Sequence, residues 1–417
     1  MKEVLESNID ESKIDRRIWF LAFTRFIRAL GRVSSFIFLP IILLEFYHLS
    51  FILIGVIQGF ATLMMSLVQY NAGKWTDRVG RRFFLIIIPI PAAFFYLIMF
   101  FVIQDRLDLV YLIAAWYLTI IINALQYPAI QAAVADLTSI SKRLTGYTYL
   151  RLMANLGAAA GPLIGGFLAV FGFQYIFLVA AISTVVELII LYYSVSETYF
   201  PAKITGKRVK ERFSFRLDRF FLLFTIVGLF LAFFTRQRGS TLTLYIFDFK
   251  NLPITYIGYI YALNGALVVI TQLPILSFMN RHLTPMEWRG VGLIYYAAGF
   301  VLTAFSGDLI FFLIVMSIMT IGEDFLAPTT QTIITTLSPV DKRGTYIGMY
   351  NLVTSFGAFL GAIIGLFLLS YLSRQLSEFW FIFAAGTFVV AMAYVFMGKS
   401  YRKRIEVPES TLEPGKS

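Results

Sequence analysis

Long apolar stretches separated by short polar breaks run along almost the whole chain. An apolar run of about 20 residues is long enough to cross the hydrocarbon core of a bilayer as one helix. We number the twelve runs of this kind as spans 1 to 12, and they cover residues 17–45, 51–73, 82–104, 109–137, 145–171, 174–195, 219–247, 253–279, 286–305, 309–337, 344–371 and 377–398. The pattern predicts an all-α polytopic membrane protein with 12 transmembrane helices.

The most polar internal stretch, residues 197–218, divides the spans into two sets of six. We interpret it as a basic cytoplasmic linker between an N-terminal six-helix bundle, 17–196, and a C-terminal six-helix bundle, 219–398. The remaining pieces are a cytoplasmic N-terminal segment, 1–16, and a cytoplasmic C-terminal tail, 399–417.

The basic residues predict the orientation in the membrane. Most of the 35 Lys and Arg residues occupy the N-terminal segment, the linker, the tail and the loops after even-numbered spans, whereas the opposite loops carry only Arg106, Lys250 and Arg374. Because cytoplasmic loops are enriched in Lys and Arg, both termini are expected in the cytoplasm. The chain shows no organellar signal, so we expect a multi-pass protein of the plasma membrane.

The two halves repeat each other without a gap over part of their length. At an offset of 200 residues, Pro128 aligns with Pro328 and Gln131 with Gln331. The same offset aligns Gly157, Gly161 and Gly165 with Gly357, Gly361 and Gly365. Two pseudo-symmetric six-helix halves are typical of secondary transporters, which bind substrate near the bilayer midplane between the repeats.

Composition narrows the class of protein further. The chain is 59% hydrophobic and 14% charged, has no cysteine and has two histidines, so thiolate metal sites and disulfides are excluded. No nucleotide-binding or hydrolase motif occurs, and the formal charge of +11 follows the membrane topology. We therefore expect neither an enzyme nor a metal site, no cofactor, and no nucleic-acid partner. Channels and transport-inactive receptors are less favoured alternatives.

The segment between spans 2 and 3 resembles a family signature. It carries the pattern G-x-x-x-D-R-x-G-R-R at Gly73, Asp77, Arg78, Gly80, Arg81 and Arg82. This resembles the loop signature of the major facilitator superfamily, with Gly73 and Gly80 expected to allow tight turns. The resemblance implies that Asp77 contacts the start of span 11 and that Arg81 pairs with Asp136 of span 4, forming a conformational latch. A generic basic loop is the alternative.

A second signature lies in span 5. Gly157, Gly161, Pro162, Gly165 and Gly166 form the pattern G-x-x-x-G-P-x-x-G-G. It resembles the signature of antiporter branches, especially the 12-helix drug:proton antiporters, which implies export. Close helix packing through the glycine face is the competing interpretation. The arginine expected in span 4 of that branch is missing.

Charged residues inside the spans are costly in hydrocarbon and usually face a cavity or a partner. Span 1 holds Arg25, Arg28 and Arg32 on one helical face, and span 7 holds Arg236 and Arg238. The resemblance implies that spans 1, 4, 7 and 10 line the cavity. Arg28, Arg32 and Arg236 are therefore candidates for a clamp on an anionic substrate, or for pairing with carboxylates.

The shared pattern R-x-x-G further predicts that Arg28 and Arg236 occupy pseudo-symmetric positions. On span 4, Asn123, Gln126 and Tyr127 are added as candidate substrate contacts.

Carboxylates inside the spans are candidates for proton coupling. Glu323 and Asp324 of span 10 are adjacent, so they point about 100° apart and only one of them is expected to face the cavity squarely. A fixed ion pair with an arginine is the alternative. Glu187 of span 6 is interpreted as structural.

The sequence therefore predicts a monomeric transporter that works by alternating access in the lipid bilayer. The leading hypothesis is proton-coupled export of an amphipathic or drug-like small molecule, with the proton gradient as energy source. The alternative is an exchanger or proton symporter for an organic anion bearing phosphate or carboxylate, bound by a pair of arginines.

Overall fold

A computed structural model of the chain describes residues 15–198, 218–279, 283–339 and 342–406, and within these ranges it contains helices and no strand. Twelve helices are long and apolar enough to cross a membrane within the described part of the chain. We label them α1 to α12, and their bounds are Arg16–Glu45, Phe51–Val79, Phe83–Gln104, Leu109–Leu137, Ile140–Phe171, Gln174–Ser194, Arg219–Phe249, Ile254–Met279, Pro285–Phe305, Leu309–Leu337, Arg343–Tyr371 and Leu376–Glu406. The predicted all-α fold with 12 transmembrane helices is confirmed.

The helix bounds differ from the predicted spans mainly at polar ends. The helix α2 continues to Val79, α5 begins at Ile140, and α12 continues to Glu406. Apolar run length marks only the part of a helix that fits the hydrocarbon core, whereas the backbone hydrogen bonds can continue into water.

Side chains before several helices satisfy the free amides of the first turn. Asp108 accepts from the amide of Val110 at 2.9 Å, and Asp308 accepts from the amide of Phe311 at 2.9 Å. Asp15 accepts from the amide of Arg17 at 2.8 Å. Burial alone would raise the pKa of Asp15, but the hydrogen bonds from Arg17 outweigh it and hold the pKa below its ordinary value.

The chain forms two compact units. Among the described residues, the first contains 15–198 with 238–266, and the second contains 218–237 with 267–279, 283–339 and 342–406. The boundary in α7 falls at a local change of helix type, because Arg236–Arg238 form a 3-10 turn before the helix resumes at Ser240. The predicted bundles kept α7 and α8 whole, whereas the contacts divide both helices internally.

The aligned glycines bring pairs of helices to backbone contact. In the first unit, a Cβ at Gly161 of α5 would lie 2.5 Å from the carbonyl oxygen of Leu30 in α1. In the second unit, a Cβ at Gly361 of α11 would lie 2.5 Å from the carbonyl oxygen of Phe233 in α7. Real Cβ atoms do not approach a carbonyl this closely, so these positions admit only glycine without movement of a helix.

These contacts also fix the register of the internal repeat. Gly161 and Gly361 are 200 residues apart, while their partners Leu30 and Phe233 are 203 apart. At that register the counterpart of Arg28 is Leu231. The predicted pseudo-symmetry of Arg28 with Arg236 is therefore wrong, because the short R-x-x-G match places the two helices out of register by about one and a half turns.

Each glycine face is closed by a polar side chain from the opposing helix. Gln237 of α7 donates to the carbonyl oxygen of Gly361 at 2.9 Å, and Ser34 of α1 donates to the carbonyl oxygen of Gly161. Ser34 and Gln237 are themselves 203 residues apart. Both halves thus contain an equivalent hydrogen bond to a glycine carbonyl oxygen, although the donor is a serine in the first half and a glutamine in the second.

The span 5 signature combines two packing surfaces. Gly157 and Gly161 face α1, whereas Gly166 lies against Gly258 of α8 within the first unit. Pro162 lies inside α5, which continues from Ile140 to Phe171. The contacts of these residues are those of close helix packing, and an antiporter role for them stays a prediction.

We predict that Gly361→Ala destabilises the second unit, because the added methyl group overlaps the backbone of α7. Overpacking of this kind costs about 1–3 kcal/mol, and the midpoint of thermal unfolding of the purified protein should fall. Gly344→Ala in the same helix is the matched control, since a Cβ there meets nothing within 4 Å. Equal midpoints for the two variants would contradict the packing analysis.

Candidate functional site

A buried ion pair lies inside the first unit. Arg28 of α1 donates from Nη1 to Oε1 of Glu187 in α6 at 3.0 Å. Its Nη2 donates to the side-chain oxygen of Asn123 in α4. The side chains of Arg28 and Glu187 are only 7% and 1% exposed. Breaking such a pair leaves an uncompensated charge in the interior, so the two residues depend on each other.

Further polar groups extend this ion pair across the bundle. Gln126 of α4 donates to Oε1 of Glu187 at 3.1 Å and to the carbonyl oxygen of Leu85 at 3.3 Å. The buried Tyr96 of α3 also lies beside Asn123. The network therefore ties α1, α3, α4 and α6 together. Gln126 is fully buried, so it faces its protein partners here, and its role as a substrate contact stays a prediction.

The other two arginines of α1 are placed differently from Arg28. The guanidinium group of Arg25 lies over the ring of Tyr127, 5.6 Å from its centroid, and Tyr127 is 41% exposed. Arg32 is exposed although it lies near the middle of α1. Because a bare guanidinium in hydrocarbon is very costly, an exposed position at this depth indicates a water-filled surface.

Positive charge therefore exceeds negative charge at this face of the first unit. Among the described residues, Arg32 has no hydrogen bond or ion pair with a carboxylate, and Glu187 alone offsets the three arginines of α1. The face can attract an anion. Sequence reasoning did not assign Glu187 to Arg28.

The second unit contains the adjacent carboxylates of α10. Asp324 is 1% exposed, and its Oδ2 lies 2.5 Å from the hydroxyl oxygen of Thr271 in α8. Glu323 is half-buried. The two side chains thus have different surroundings, as their divergence of about 100° on a helix requires. Arg236 is also half-buried in this unit, at the 3-10 turn of α7.

The signature segment between α2 and α3 is mostly helical. The helix α2 includes Gly73 and ends at Val79, and the turn is made at Gly80, whose φ of 108° is open to glycine but strained for other residues. The expectation that Gly73 also forms a tight turn is wrong. Helical hydrogen bonds continue past the apolar run because the segment contains no proline to interrupt them.

One predicted contact of this segment is confirmed. Arg81 donates from Nε to Oδ2 of Asp136 at 3.2 Å, and its Nη1 donates to the carbonyl oxygen of Thr76 at 3.0 Å. The side chains of Asp77 and Arg78 lie outside the part of the chain that the structure describes. The exposed Arg82 lies over the ring of Tyr192, 5.8 Å from its centroid. The latch role of these residues stays a prediction.

Sequence reasoning missed a carboxylate at the same place. Glu197 follows α6 and accepts from the backbone amides of Arg81 at 3.0 Å and Arg82 at 3.1 Å. It therefore holds the start of the helix that leads into α3, where free amides and the helix dipole favour a negative charge. Its position at the predicted start of the linker gave no signal of this contact.

Sequence reasoning also missed a buried cation in the second unit. Arg289 of α9 is 1% exposed, donates to the hydroxyl groups of Tyr350 at 2.9 Å and Thr330 at 2.6 Å, and lies 4.9 Å from the ring centroid of Tyr394. Hydroxyl oxygens and aromatic faces thus surround the guanidinium group. The only signal was an arginine three residues after the predicted start of span 9.

The family profile of the Major Facilitator Superfamily matches residues 21–293 and 240–415. The chain belongs to the major facilitator superfamily. The family and its fold are those of transporters, not of enzymes, so the chain is a multi-pass membrane transporter.

Several relatives within the superfamily bear functional names. The multidrug resistance protein MdtH of Aeromonas salmonicida is 24% identical over 86% of this chain and 88% of its own length. A Na(+), Li(+), K(+)/H(+) antiporter of Planococcus maritimus is 24% identical over 78% of this chain and 82% of its own length. The uncharacterised transporter YttB of Bacillus subtilis is 25% identical over 51% of this chain, which spans 54% of YttB.

Solved transporter structures share the fold. A crystal structure of a POT family transporter in complex with 5-aminolevulinic acid has a TM-score of 0.79. The match covers 92% of this chain and 96% of that chain at 14% sequence identity. At this identity the likeness concerns the fold alone.

We predict that Arg28→Gln and Glu187→Gln each destabilise this superfamily member strongly, because either change strands a buried charge. The expected loss in unfolding free energy is about 3–5 kcal/mol for each single variant and clearly less for the double variant. Unfolding midpoints of the four proteins give the coupling. Arg374→Gln is the control, since Arg374 is exposed. Additive losses would contradict a paired role.

We also predict that Glu197→Gln loosens the start of the helix leading into α3. The glutamine side chain has one acceptor oxygen and one donor NH2 group, so it cannot accept from Arg81 and Arg82 through two oxygens as Glu197 does. It also no longer complements the helix dipole, which alone is a loss of about 0.3–1 kcal/mol. Amide hydrogen exchange over residues 81–88 should accelerate roughly 2–5-fold. The exposed carboxylate variant Glu378→Gln serves as control. Unchanged exchange in Glu197→Gln would refute the capping role.

Proposed function

We propose that this chain is a proton-coupled secondary transporter that exports an amphipathic or drug-like small molecule by alternating access. The observation that carries the proposal is the burial of Asp324 in the middle of the membrane-spanning helix α10. Asp324 is 1% exposed, and its carboxylate lies 2.5 Å from the hydroxyl oxygen of Thr271. The names of the relatives MdtH and the cation/proton antiporter support the same direction.

The physical basis is the cost of a buried charge. Burial disfavours the ionised form of a carboxyl group, whereas contact with water restores it. A transporter that alternately buries and hydrates such a group can bind a proton on one side of the membrane and release it on the other. Asp324 fits this role through its burial, and Glu323 beside it is the second candidate.

The other residues have roles in the same cycle. Arg28, Arg32 and Arg236 contact substrate or pair with charges, and Asn123 and Tyr127 provide further contacts. The segment with Asp77, Arg81 and Asp136 latches one conformational state, and the Arg81 to Asp136 distance of 3.2 Å supports that assignment.

The remaining assignments follow from topology and charge. The protein acts as a monomer in the plasma membrane. Both of its termini lie in the cytoplasm, an orientation that the distribution of basic residues favours. It uses the proton gradient and no cofactor.

A second candidate function is exchange or proton symport of an organic anion. The observation that favours it is the excess of positive charge on α1, where Arg32 is exposed and Glu187 alone offsets three arginines among the described residues. Guanidinium groups bind carboxylate and phosphate groups in bidentate geometry. The two candidates differ in the charge of the solute that is moved.

Proton movement in liposomes that contain the purified full-length protein tests both candidates. Ethidium, benzenesulfonate and inorganic phosphate are the solutes, and wild type is compared with Asp324→Asn, Glu323→Gln and the exposed control Glu378→Gln. We expect ethidium to drive proton movement, and Asp324→Asn to slow it by about tenfold or more, a loss of at least ~1.4 kcal/mol in transition-state stabilisation.

The outcomes separate the alternatives. A response to the anions only, retained in Asp324→Asn, would favour the organic-anion carrier. Equal loss in Glu378→Gln would show that the assay reports general damage rather than a proton site. Full activity in both Asp324→Asn and Glu323→Gln would overturn the assignment of α10 as the proton-binding helix.

A further inference from the structure

The two oxygens of Glu187 have different surroundings. Oε1 accepts from Arg28 at 3.0 Å and from Gln126 at 3.1 Å. Oε2 is buried and has no hydrogen-bond partner among the described residues. A buried carboxylate normally satisfies both oxygens, so this half-satisfied group is an exception that asks for a physical reason.

The side chains around Glu187 are cationic or neutral. From α1, α3 and α4 they are Arg25, Arg28, Arg32, Tyr96, Asn123 and Gln126. Arg28 is therefore held in the interior by Glu187, and the neighbouring guanidinium groups add charge that Glu187 does not offset.

The position of Arg32 indicates how the charge pairing between Arg28 and Glu187 can change. Arg32 lies one helical turn from Arg28 on the same face of α1, and its exposure indicates contact with water. An anionic group that enters beside Arg32 meets the face to which Arg28 belongs. If the anion takes Arg28 as its partner, the ionised Glu187 is left buried beside a negative group, which is strongly unfavourable.

We propose that Glu187 is a proton-accepting residue, and that Arg28 exchanges Glu187 for an anionic group of the transported solute. The proton adds to Oε2, which can form the new O–H bond without displacing an existing hydrogen bond from a described residue. Glu187 becomes neutral, Arg28 keeps its charge, and the anion supplies the lost negative charge. Glu187 binds one proton for each singly charged anion that binds Arg28.

This inference deepens the organic-anion candidate and rests on it for its role in transport. It concerns α1 and α6 of the first unit, and it is independent of Asp324. It also gives Glu187 a function beyond the structural one predicted from sequence. A purely structural ion pair would keep the same protonation state whether or not an anion is bound.

Proton uptake by the purified full-length protein in detergent tests the inference without any transport step. The probes are benzenesulfonate and hexanesulfonate, which stay fully ionised and release no proton of their own, with benzenesulfonamide and benzyltrimethylammonium as neutral and cationic controls. We expect wild type to take up about one proton per sulfonate bound, and neither control compound to cause uptake.

Variants assign the proton to Glu187. Glu187→Gln should bind benzenesulfonate without proton uptake, and its affinity should no longer fall as the pH rises. Arg28→Gln should bind the sulfonate at least about tenfold more weakly. Glu378→Gln should behave as wild type. Because Glu187→Gln can fail to fold, infrared difference spectra of wild type with and without benzenesulfonate provide a second measurement, in which a protonated carboxyl band should appear.

The results have distinct meanings. Proton uptake that persists in Glu187→Gln, or the absence of both uptake and the carboxyl band in wild type with either sulfonate, overturns the inference. Uptake in detergent together with inactive liposomes would support the Glu187 exchange while refuting the proposed transport function. Transport activity in liposomes without proton uptake at Glu187 would support the proposed transport function and refute the Glu187 exchange.

Discussion

A charged side chain inside a membrane-spanning bundle must be paired with an opposite charge, surrounded by polar and aromatic groups, or in contact with water. The arginines of this transporter show all three arrangements. Arg28 is paired with Glu187 at 3.0 Å. Arg289 is surrounded by hydroxyl groups and aromatic rings, including that of Tyr394 at 4.9 Å. Arg32 is exposed in the middle of α1. The cost of an unmatched charge in hydrocarbon determines which of these residues are fixed in place and which can meet a solute.

Backbone contact between helices sets the positions of these charges. Gly161 lies against Leu30 in the first unit and Gly361 against Phe233 in the second, so α1 and α7 are each held at one rotation by a glycine face. That rotation places the arginines of α1 beside α4 and α6. A larger residue at Gly161 would push α1 away from α5 and so displace the helix that carries Arg28.

The helices α1 and α10 carry different kinds of ionisable group. The face of α1 in the first unit is rich in guanidinium groups, whereas α10 in the second unit presents Glu323 and the buried Asp324. A solute is recognised by the sign of charge that it meets, and a proton by a carboxyl group that can become neutral. The Arg28 and Glu187 pair combines both kinds of group within one unit, which is the basis of the coupling proposed for it.

Much of this protein follows from its sequence. Apolar run length predicted the twelve helices, because it is a local pattern, and the resemblance of the segment 73–82 to the family signature implied the contact of Arg81 with Asp136. Only the tertiary structure showed that Glu187 is the partner of Arg28, that Glu197 holds the amides of Arg81 and Arg82, and that Gly80 alone makes the turn. It also showed that Arg236 is not the counterpart of Arg28, because a four-residue match does not determine how two helices align in the repeat. Spacing along one chain defines the face of one helix, whereas a buried charge is satisfied by whichever distant helix the packing of small residues brings beside it.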